Sequence, residues 1–184
     1  YNPEMDNFLP IVDESETRGV EGHYITTIAE DNSGQFWLAT EKTIYKYNAS
    51  TNLFSKVTEV KHGTITALIF DRQDNIWIAA STNGGLNYYD QKKQKLSSFR
   101  NDATNKQSIS VNEVFDIALV KDNLWIATYG GGIDLYNLNE KTFKHYFSPD
   151  NFENYATSVF TDKKNKIWIC TLGALKLFDP ASYN

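Results

Sequence analysis

Apolar and polar positions follow one pattern that recurs four times along the chain. Its clearest part is a continuous apolar run with a tryptophan in second place, written FWLA, IWIA, LWIA and IWIC. Continuous apolarity over so few residues predicts a strand that is covered on both faces. An aromatic residue follows each tryptophan after 10 to 12 residues. The repeated positions are Trp37, Trp77, Trp125 and Trp168, followed by Tyr47, Tyr89, Tyr136 and Phe178.

Each repeat resolves into four short strands, which we label A to D in chain order. In the second repeat the pattern predicts strand A near 65–70, strand B at 76–80, strand C at 86–89 and strand D near 95–99. Asp, Asn and Gly fill the connecting segments, as expected for tight turns. The tryptophans are spaced 40, 48 and 43 residues apart. A four-stranded antiparallel unit of this length, covered on both faces, predicts a β-propeller blade.

The predicted fold class is all-β, with about four β-propeller blades in a single domain over residues 1–184. The chain opens without an initiator methionine, so we interpret it as a fragment of a larger propeller. Its first strand could complete the last blade and remove an exposed edge. Closure within the chain would give four blades, whereas closure between two chains would give eight, and we expect a homodimer. The predicted units are an orphan strand D at 5–12, blades at about 24–59, 64–100 and 113–147, and an incomplete blade at 155–178.

Composition and charge narrow the possible partners. The chain has a net charge of −5 and no dense basic stretch, which argues against a nucleic acid partner. Apolar residues make up 41% of the sequence, enough to form a packed core. No apolar run approaches the ~18 residues of a membrane span. The single cysteine, Cys170, takes a position that the other repeats give to alanine, so we expect a small buried residue rather than a reactive thiol.

Few side chains suggest catalysis. The three histidines have no carboxylate or cysteine at ligand spacing, which predicts no metal site and no cofactor. Asp31, Asp71 and Asp162 recur after strand A and are interpreted as turn residues. Asp116 lies on an innermost strand, where it could face the central channel, and His145 lies on an outer strand, where we expect it to be solvated. No nucleophile motif or pair of acids predicts an enzyme.

The D–A and B–C loops of a propeller share one end of the central channel, where ligands commonly bind. At that end the sequence places aromatic, amide and guanidinium groups, which suit a sugar or a peptide but also occur on any polar loop surface. The longest connection, RNDATNKQSISVNE at 100–113, is also found there. The candidate ligand-binding residues are Arg18, His23, Tyr24, Asn83, Arg100, Tyr129 and Tyr155.

The repeats also resemble a known family. The segments ITTIAEDNSGQFWLAT, IFDRQDNIWIAASTNGGLNYYDQKKQKLSSF and NLWIATYGGGIDLYNLNEKTFKHYF are similar to two-component regulator propeller repeats. The resemblance rests on the tryptophan, the paired glycines and the Tyr-Asp or Tyr-Asn pair, and it covers essentially the whole chain. The sequence departs from the family pattern where alanine or cysteine replaces a glycine two residues after the tryptophan. It also departs where the first repeat lacks paired glycines and the last has Gly173-Ala174 instead.

The resemblance implies a role in signal transduction. Such repeats form the periplasmic sensor region of Bacteroides-type hybrid two-component proteins, which carry a sensor histidine kinase and a response regulator and are anchored in the inner membrane. It therefore implies a noncatalytic sensor segment that responds to an oligosaccharide. The alternatives are a structural or dimerisation scaffold without a ligand and a propeller lyase.

Overall fold

The structure is a computed structural model that describes residues 19–20, 24–148 and 151–178. Within these ranges the chain forms fifteen β-strands and one short 3-10 helix, Asn151–Asn154. The predicted strand at 5–12 lies outside the described residues. The architecture confirms the predicted all-β fold of propeller blades.

The strands form four antiparallel sheets, each built from strands that are consecutive along the chain. The first sheet contains β1 (Ile25–Glu30), β2 (Phe36–Thr40), β3 (Thr43–Asn48) and β4 (Leu53–Glu59). The second contains β5 (Thr64–Phe70), β6 (Ile76–Ser81), β7 (Gly85–Asp90) and β8 (Lys95–Phe99). The third contains β9 (Val114–Val120), β10 (Asn123–Thr128), β11 (Gly132–Asn137) and β12 (Thr142–Tyr146). The fourth contains β13 (Ala156–Thr161), β14 (Ile167–Thr171) and β15 (Leu175–Phe178).

The sheets are stacked as neighbouring blades around a common axis. Strand A of each blade contacts strand A of the next, so that β1 meets β5, β5 meets β9 and β9 meets β13. Hydrogen bonds within each blade run from strand A outward to strand D, or to strand C in the fourth blade. The four sheets do not close into a ring, so the described residues form an open arc of blades.

The core lies between blades rather than within them. We call the face of a blade that meets the following blade its trailing face, and the opposite one its leading face. Strand B supplies both faces, because alternate residues point in opposite directions. The trailing side is formed by Trp37, Ala39 and Ile44, by Trp77, Ala79 and Leu86, and by Trp125, Ala127 and Ile133. The leading side is formed by Leu68, Ile76 and Ile78, by Ile117, Leu124 and Ile126, and by Val159, Ile167 and Ile169.

The end blades leave apolar side chains uncovered. On the trailing face of the fourth blade, Phe160 and Leu175 are each 65% exposed. Cys170 is also exposed, which contradicts the prediction of a buried residue. Its equivalents Ala39 and Ala79 are buried against a following blade, whereas no following blade covers Cys170 within the described part of the chain. The repeat slot was therefore identified correctly, but its burial depends on a neighbour.

The A–B turns of the first and fourth blades share one hydrogen-bonding pattern. In the first blade the Asp31 carboxylate accepts hydrogen bonds from the backbone N–H groups of Ser33 and Gln35 and from Trp37 Nε1 at 2.9 Å. In the fourth blade Asp162 accepts the equivalent backbone bonds and one from Trp168 Nε1 at 3.2 Å. These contacts support the interpretation of the recurring acids as turn residues.

Candidate functional site

The structure places the predicted loop residues at one end of the blades but does not gather them into one site. Arg18 and His23 lie outside the described residues. Tyr24, just before β1, is 70% exposed. The remaining candidates fall into two clusters, one at Asn83 and Arg100 and the other at Tyr129 and Tyr155.

The first cluster is held together by its own polar groups. Arg100 Nη1 donates to the Asn83 carbonyl oxygen, and Nη2 donates to Asn83 Oδ1, both at 2.9 Å. The carboxylate of Glu113 accepts hydrogen bonds from the backbone N–H groups of Thr82 at 2.7 Å and Asn83 at 2.6 Å. The sequence analysis did not single out Glu113 for this role. These contacts fix the β6–β7 loop against the long connection, so the predicted ligand-binding groups of Asn83 and Arg100 are occupied by each other.

The second cluster presents aromatic surface between the third and fourth blades. Tyr129 and Tyr155 make an edge-to-face contact with ring centroids 4.7 Å apart, and their backbones form an isolated bridge. The ring of Phe115 stacks on Tyr129 at 5.1 Å. Tyr129 remains 37% exposed. Phe115 was not among the residues predicted from the sequence. The feature that could have identified it is an aromatic residue near the start of an innermost strand.

The long connection after β8 is anchored by an acid–imidazole pair whose acid is buried. Asp134, on β11, is fully buried and accepts a hydrogen bond from the Ser110 backbone N–H at 2.8 Å. His145 Nδ1 lies 2.6 Å from Asp134 Oδ1. His145 Nε2 lies 3.2 Å from the Lys106 carbonyl oxygen, which can only accept, so this nitrogen donates. His145 is therefore less solvated than predicted, because the connection folds back over strand D and leaves its side chain 23% exposed.

The protonation of this pair follows from its surroundings. Burial opposes a charge on His145, but the hydrogen bond and negative charge of Asp134 outweigh burial and raise the pKa of His145 above its ordinary value. Burial also raises the pKa of Asp134, against the hydrogen bonds from Ser110 and His145 that favour the carboxylate. The raised pKa extends the charged form of the imidazole to higher pH, and its Nε2 donates to the connection.

Asp116 bridges two blades. Its Oδ2 accepts hydrogen bonds from Ser158 Oγ at 2.7 Å and from the Val159 backbone N–H at 3.0 Å. These contacts tie strand A of the third blade to strand A of the fourth. In the part of the chain that the structure describes, no group of three or more His, Cys, Asp or Glu side chains is placed to hold a metal ion.

Comparison with known proteins gives one family match. The family model described as "Two component regulator propeller" matches residues 19–42, which cover β1 and β2. No curated protein matches the sequence. Among the described residues, no helix has the length and apolar character needed to cross a membrane.

Solved structures with a similar fold include extracellular domains from B. thetaiotaomicron. One, from a protein described as a hybrid two component system, BT3049, is 21% identical with a TM-score of 0.51, covering 91% of this chain and 30% of that one. Another, BT4673, described as a one component system, is 18% identical with a TM-score of 0.57, covering 98% of this chain and 31% of that one. This chain therefore spans less than a third of either domain.

The same fold also occurs in an enzyme. Virginiamycin B lyase from Staphylococcus aureus is 12% identical with a TM-score of 0.62, covering 84% of this chain and 55% of the lyase. At such low identity these likenesses establish the propeller fold alone. Over residues 19–42 the chain is therefore similar to the two component regulator propeller family.

Proposed function

We propose that this chain is a noncatalytic segment of the periplasmic sensor region of a hybrid two-component protein, whose parent is anchored in the inner membrane and responds to oligosaccharides. The observation that carries the proposal is the match of residues 19–42 to the two component regulator propeller model. The similar fold of extracellular domains from B. thetaiotaomicron supports it. A sensor region of this kind transmits ligand binding to a kinase and needs no catalytic group of its own.

The aromatic cluster offers the best surface for a sugar on the loop face. The apolar faces of sugar rings stack on aromatic side chains, and the exposed ring of Tyr129 is supported from behind by Phe115. Tyr155 adds a second ring at 4.7 Å. The cluster joins two blades, so a ligand bound there would contact both.

The noncatalytic assignment is supported by the contacts of the buried pair. Among the described residues, Asp134 and His145 form an ion pair between an acid and an imidazole. The second imidazole nitrogen donates to the Lys106 carbonyl oxygen and cannot also take a proton from a substrate. The pair therefore stabilises the long connection and does not supply the base that the alternative lyase would need.

The proposal is tested by thermal unfolding with a panel of oligosaccharides. A ligand that binds only the folded state raises the melting temperature. We expect at least one oligosaccharide to do so, and we expect Tyr129→Ala to remove the shift while the control Leu53→Ala, at an exposed site in the β3–β4 hairpin, preserves it. The absence of any shift across the panel would overturn direct sensing by this chain. A shift that survives Tyr129→Ala would overturn only the placement of the ligand.

A dimerisation scaffold is the second candidate, favoured by the open trailing face of the fourth blade. The trailing face of the fourth blade exposes Phe160, Leu175 and Leu177. On the leading face of the first blade Ile28 is exposed, while Leu38 is buried. Residues at the equivalent positions of the inner blades are covered at each of the three interfaces between blades. We propose that a second copy of the chain continues this packing, its first blade covering the fourth blade of its partner. Two such contacts would make a ring from two chains.

Sedimentation velocity tests the two-chain arrangement. We expect the wild type to sediment at twice the monomer mass of 21.0 kDa and Leu175→Arg to sediment as a monomer. Leu53→Arg makes the same change at an exposed site in the β3–β4 hairpin of the first blade and should leave the dimer intact. Cys170 gives a second readout, because maleimide labelling of its thiol should slow as the protein concentration rises. A wild type that remains monomeric at every concentration would overturn the arrangement.

A further inference from the structure

The second and third blades enclose a cavity at the end that carries the A–B and C–D turns, opposite the loop face. Its volume is about 550 Å³. This lies within the range of roughly 300–1,000 Å³ that is usual for small-molecule sites. Aromatic rings of Trp77, Tyr88, Phe99 and Tyr136 line its inner part, with centroids of adjacent rings 4.6 to 5.7 Å apart.

Beside this cavity the third blade departs from the repeat. Between the first two blades, Asn32 Nδ2 on one A–B turn donates to Asp74 Oδ1 at 2.6 Å and to the Asp71 carbonyl oxygen at 2.7 Å on the next. The A–B turn of the third blade has only two residues, Lys121 and Asp122, between its strands. An ion pair to the second blade joins exposed side chains, Arg72 Nη1 and Asp122 Oδ1, 3.6 Å apart. The shorter turn does not seal the space.

A buried donor at this cavity has no partner. The indole of Trp77, which lines the cavity, is 4% exposed, and its Nε1 makes no hydrogen bond within the described residues. The equivalent indoles of Trp37 and Trp168 donate to the aspartate of their own A–B turn. In the second blade the Asn75 side-chain amide donates to Asp71 Oδ2 at 3.2 Å instead. Buried polar groups without partners are rare in native proteins and often mark functional positions.

The charged groups around the cavity leave cations in excess. Asp90 pairs with Lys93 at 2.8 Å, and Asp71 accepts hydrogen bonds from its own turn. Lys121 and Lys141 also line the cavity, and neither has an acidic partner among the described residues. The lining thus offers unpaired ammonium groups beside the buried Trp77 indole, while its carboxylates are already engaged.

We propose that this cavity binds a small organic acid that carries a ring, with its carboxylate paired to Lys121 and Lys141 and its ring against the aromatic side chains. Excess donors favour an anion, and the aromatic lining favours a flat apolar face. The ring can belong to an acidic sugar or to an aromatic acid, since both present the same chemistry. The inference is independent of the proposed sensor role, because the cavity and the loop face lie at opposite ends of the blades.

Nuclear magnetic resonance of the indole N–H groups tests the proposal directly. The probes are D-galacturonate and benzoate, each matched with a neutral analogue, galactose and benzyl alcohol. We expect at least one acid to shift the Trp77 indole signal, assigned with Trp77→Phe, while the signals of Trp37 and Trp168 stay in place because their donors are already bonded. A response to galacturonate alone identifies an acidic sugar, and a response to benzoate alone identifies an aromatic acid.

The lysines provide the matched variants. Lys121→Ala/Lys141→Ala should weaken binding of the acid about tenfold or more, because two charge-assisted contacts are lost. Lys163→Ala/Lys164→Ala removes the same charge from exposed sites on the A–B turn of the fourth blade and should leave binding unchanged. The proposal is overturned if neither acid binds at millimolar concentration, if the neutral analogues bind as well as the acids, or if the two double variants bind equally.

Discussion

The aspartate that follows strand A shows how much of a blade depends on one side chain. Asp31 is 8% exposed and accepts hydrogen bonds from two backbone N–H groups, a hydroxyl and an indole. Burial alone would raise its pKa, but the hydrogen bonds from Ser33, Trp37 and Gln35 together outweigh burial and lower the pKa below its ordinary value. The charged form is therefore the one that the turn stabilises.

We expect Asp31→Ala to reduce the free energy of unfolding by about 2–3 kcal/mol, because it leaves buried donors without an acceptor. Since the folded pKa lies below the ordinary 3.8, the stabilisation is present above that pH and is lost as the pH falls through the folded value. Urea unfolding of the wild type and of Asp31→Ala, repeated as the pH is lowered below 3.8, measures the effect. Asp122→Ala, at a 44% exposed side chain, is the control and should change stability by less than about 0.5 kcal/mol. Equal losses in the two variants would contradict the prediction.

Two glycines separate backbone strain from steric clash. Gly132 and Gly34 both have positive φ angles, +73° and +81°, which residues with a side chain rarely adopt. A Cβ at Gly132 would lie 2.3 Å from the Tyr146 carbonyl oxygen, whereas one at Gly34 would meet only the Glu30 side chain at 3.4 Å. We expect Gly34→Ala to cost about 1 kcal/mol and Gly132→Ala at least about 2 kcal/mol more, as measured by chemical denaturation. Similar losses would show that the strand pairing at Gly132 can move aside.

At the scale of the element, the repeat made the strands predictable. In the second blade the predicted strands at 65–70, 76–80, 86–89 and 95–99 each lie within one residue of the observed boundaries. Four copies of one pattern reveal positions that a single strand would leave ambiguous. The long connection was different, because its conformation depends on Asp134 and His145, which are distant in sequence and occur as a pair in one blade. No periodic signal marks such a contact.

The connection should be sensitive to pH. The raised pKa of His145 means that its stabilising charge is fully present below the ordinary 6.5 and is lost as the pH rises through the folded value. The raised pKa of Asp134 acts in the same direction. We expect His145→Gln to cost about 1.5 kcal/mol at pH values below 6.5, and this difference from wild type should shrink as the pH rises.

Amide hydrogen exchange at Ser110 reports the same contact locally. Its N–H is held by Asp134, so it should exchange faster in His145→Gln than in wild type when both are compared at one pH. His62→Gln, at an exposed histidine before β5, is the control and should leave Ser110 unchanged. A stability difference that stays constant with pH would contradict a charged His145.

At the scale of the whole molecule, the sequence predicts the blades better than it predicts their surroundings. Cys170 and Ala79 occupy one slot of the repeat, yet the first is exposed and the second is fully buried. The sequence pattern identifies the face of the blade on which a residue lies. The residues that bury that face belong to another blade. The same holds for the cavity beside Trp77, which arises where two neighbouring turns differ in length. Both features lie at interfaces between blades. A repeat pattern describes what these interfaces share and not how one interface differs from the others.

Stability should accordingly vary along the arc. In repeat architectures each unit is stabilised mainly by its neighbours, so a blade with one neighbour opens more easily than a blade with two. In the monomeric form we expect amides of β14 to exchange faster than those of β6 and β10, whose strands are covered on both faces. Ile169→Ala, at the leading face of the fourth blade, should speed exchange mainly in β13 to β15. Ile126→Ala should speed exchange in both the second and the third blade, because its side chain packs between them. Uniform exchange across the four sheets would mean that they open as one unit.

If a second copy covers the fourth blade, the difference in exchange rate between β14 and β10 should shrink as the protein concentration rises, because the second copy then supplies the missing neighbour.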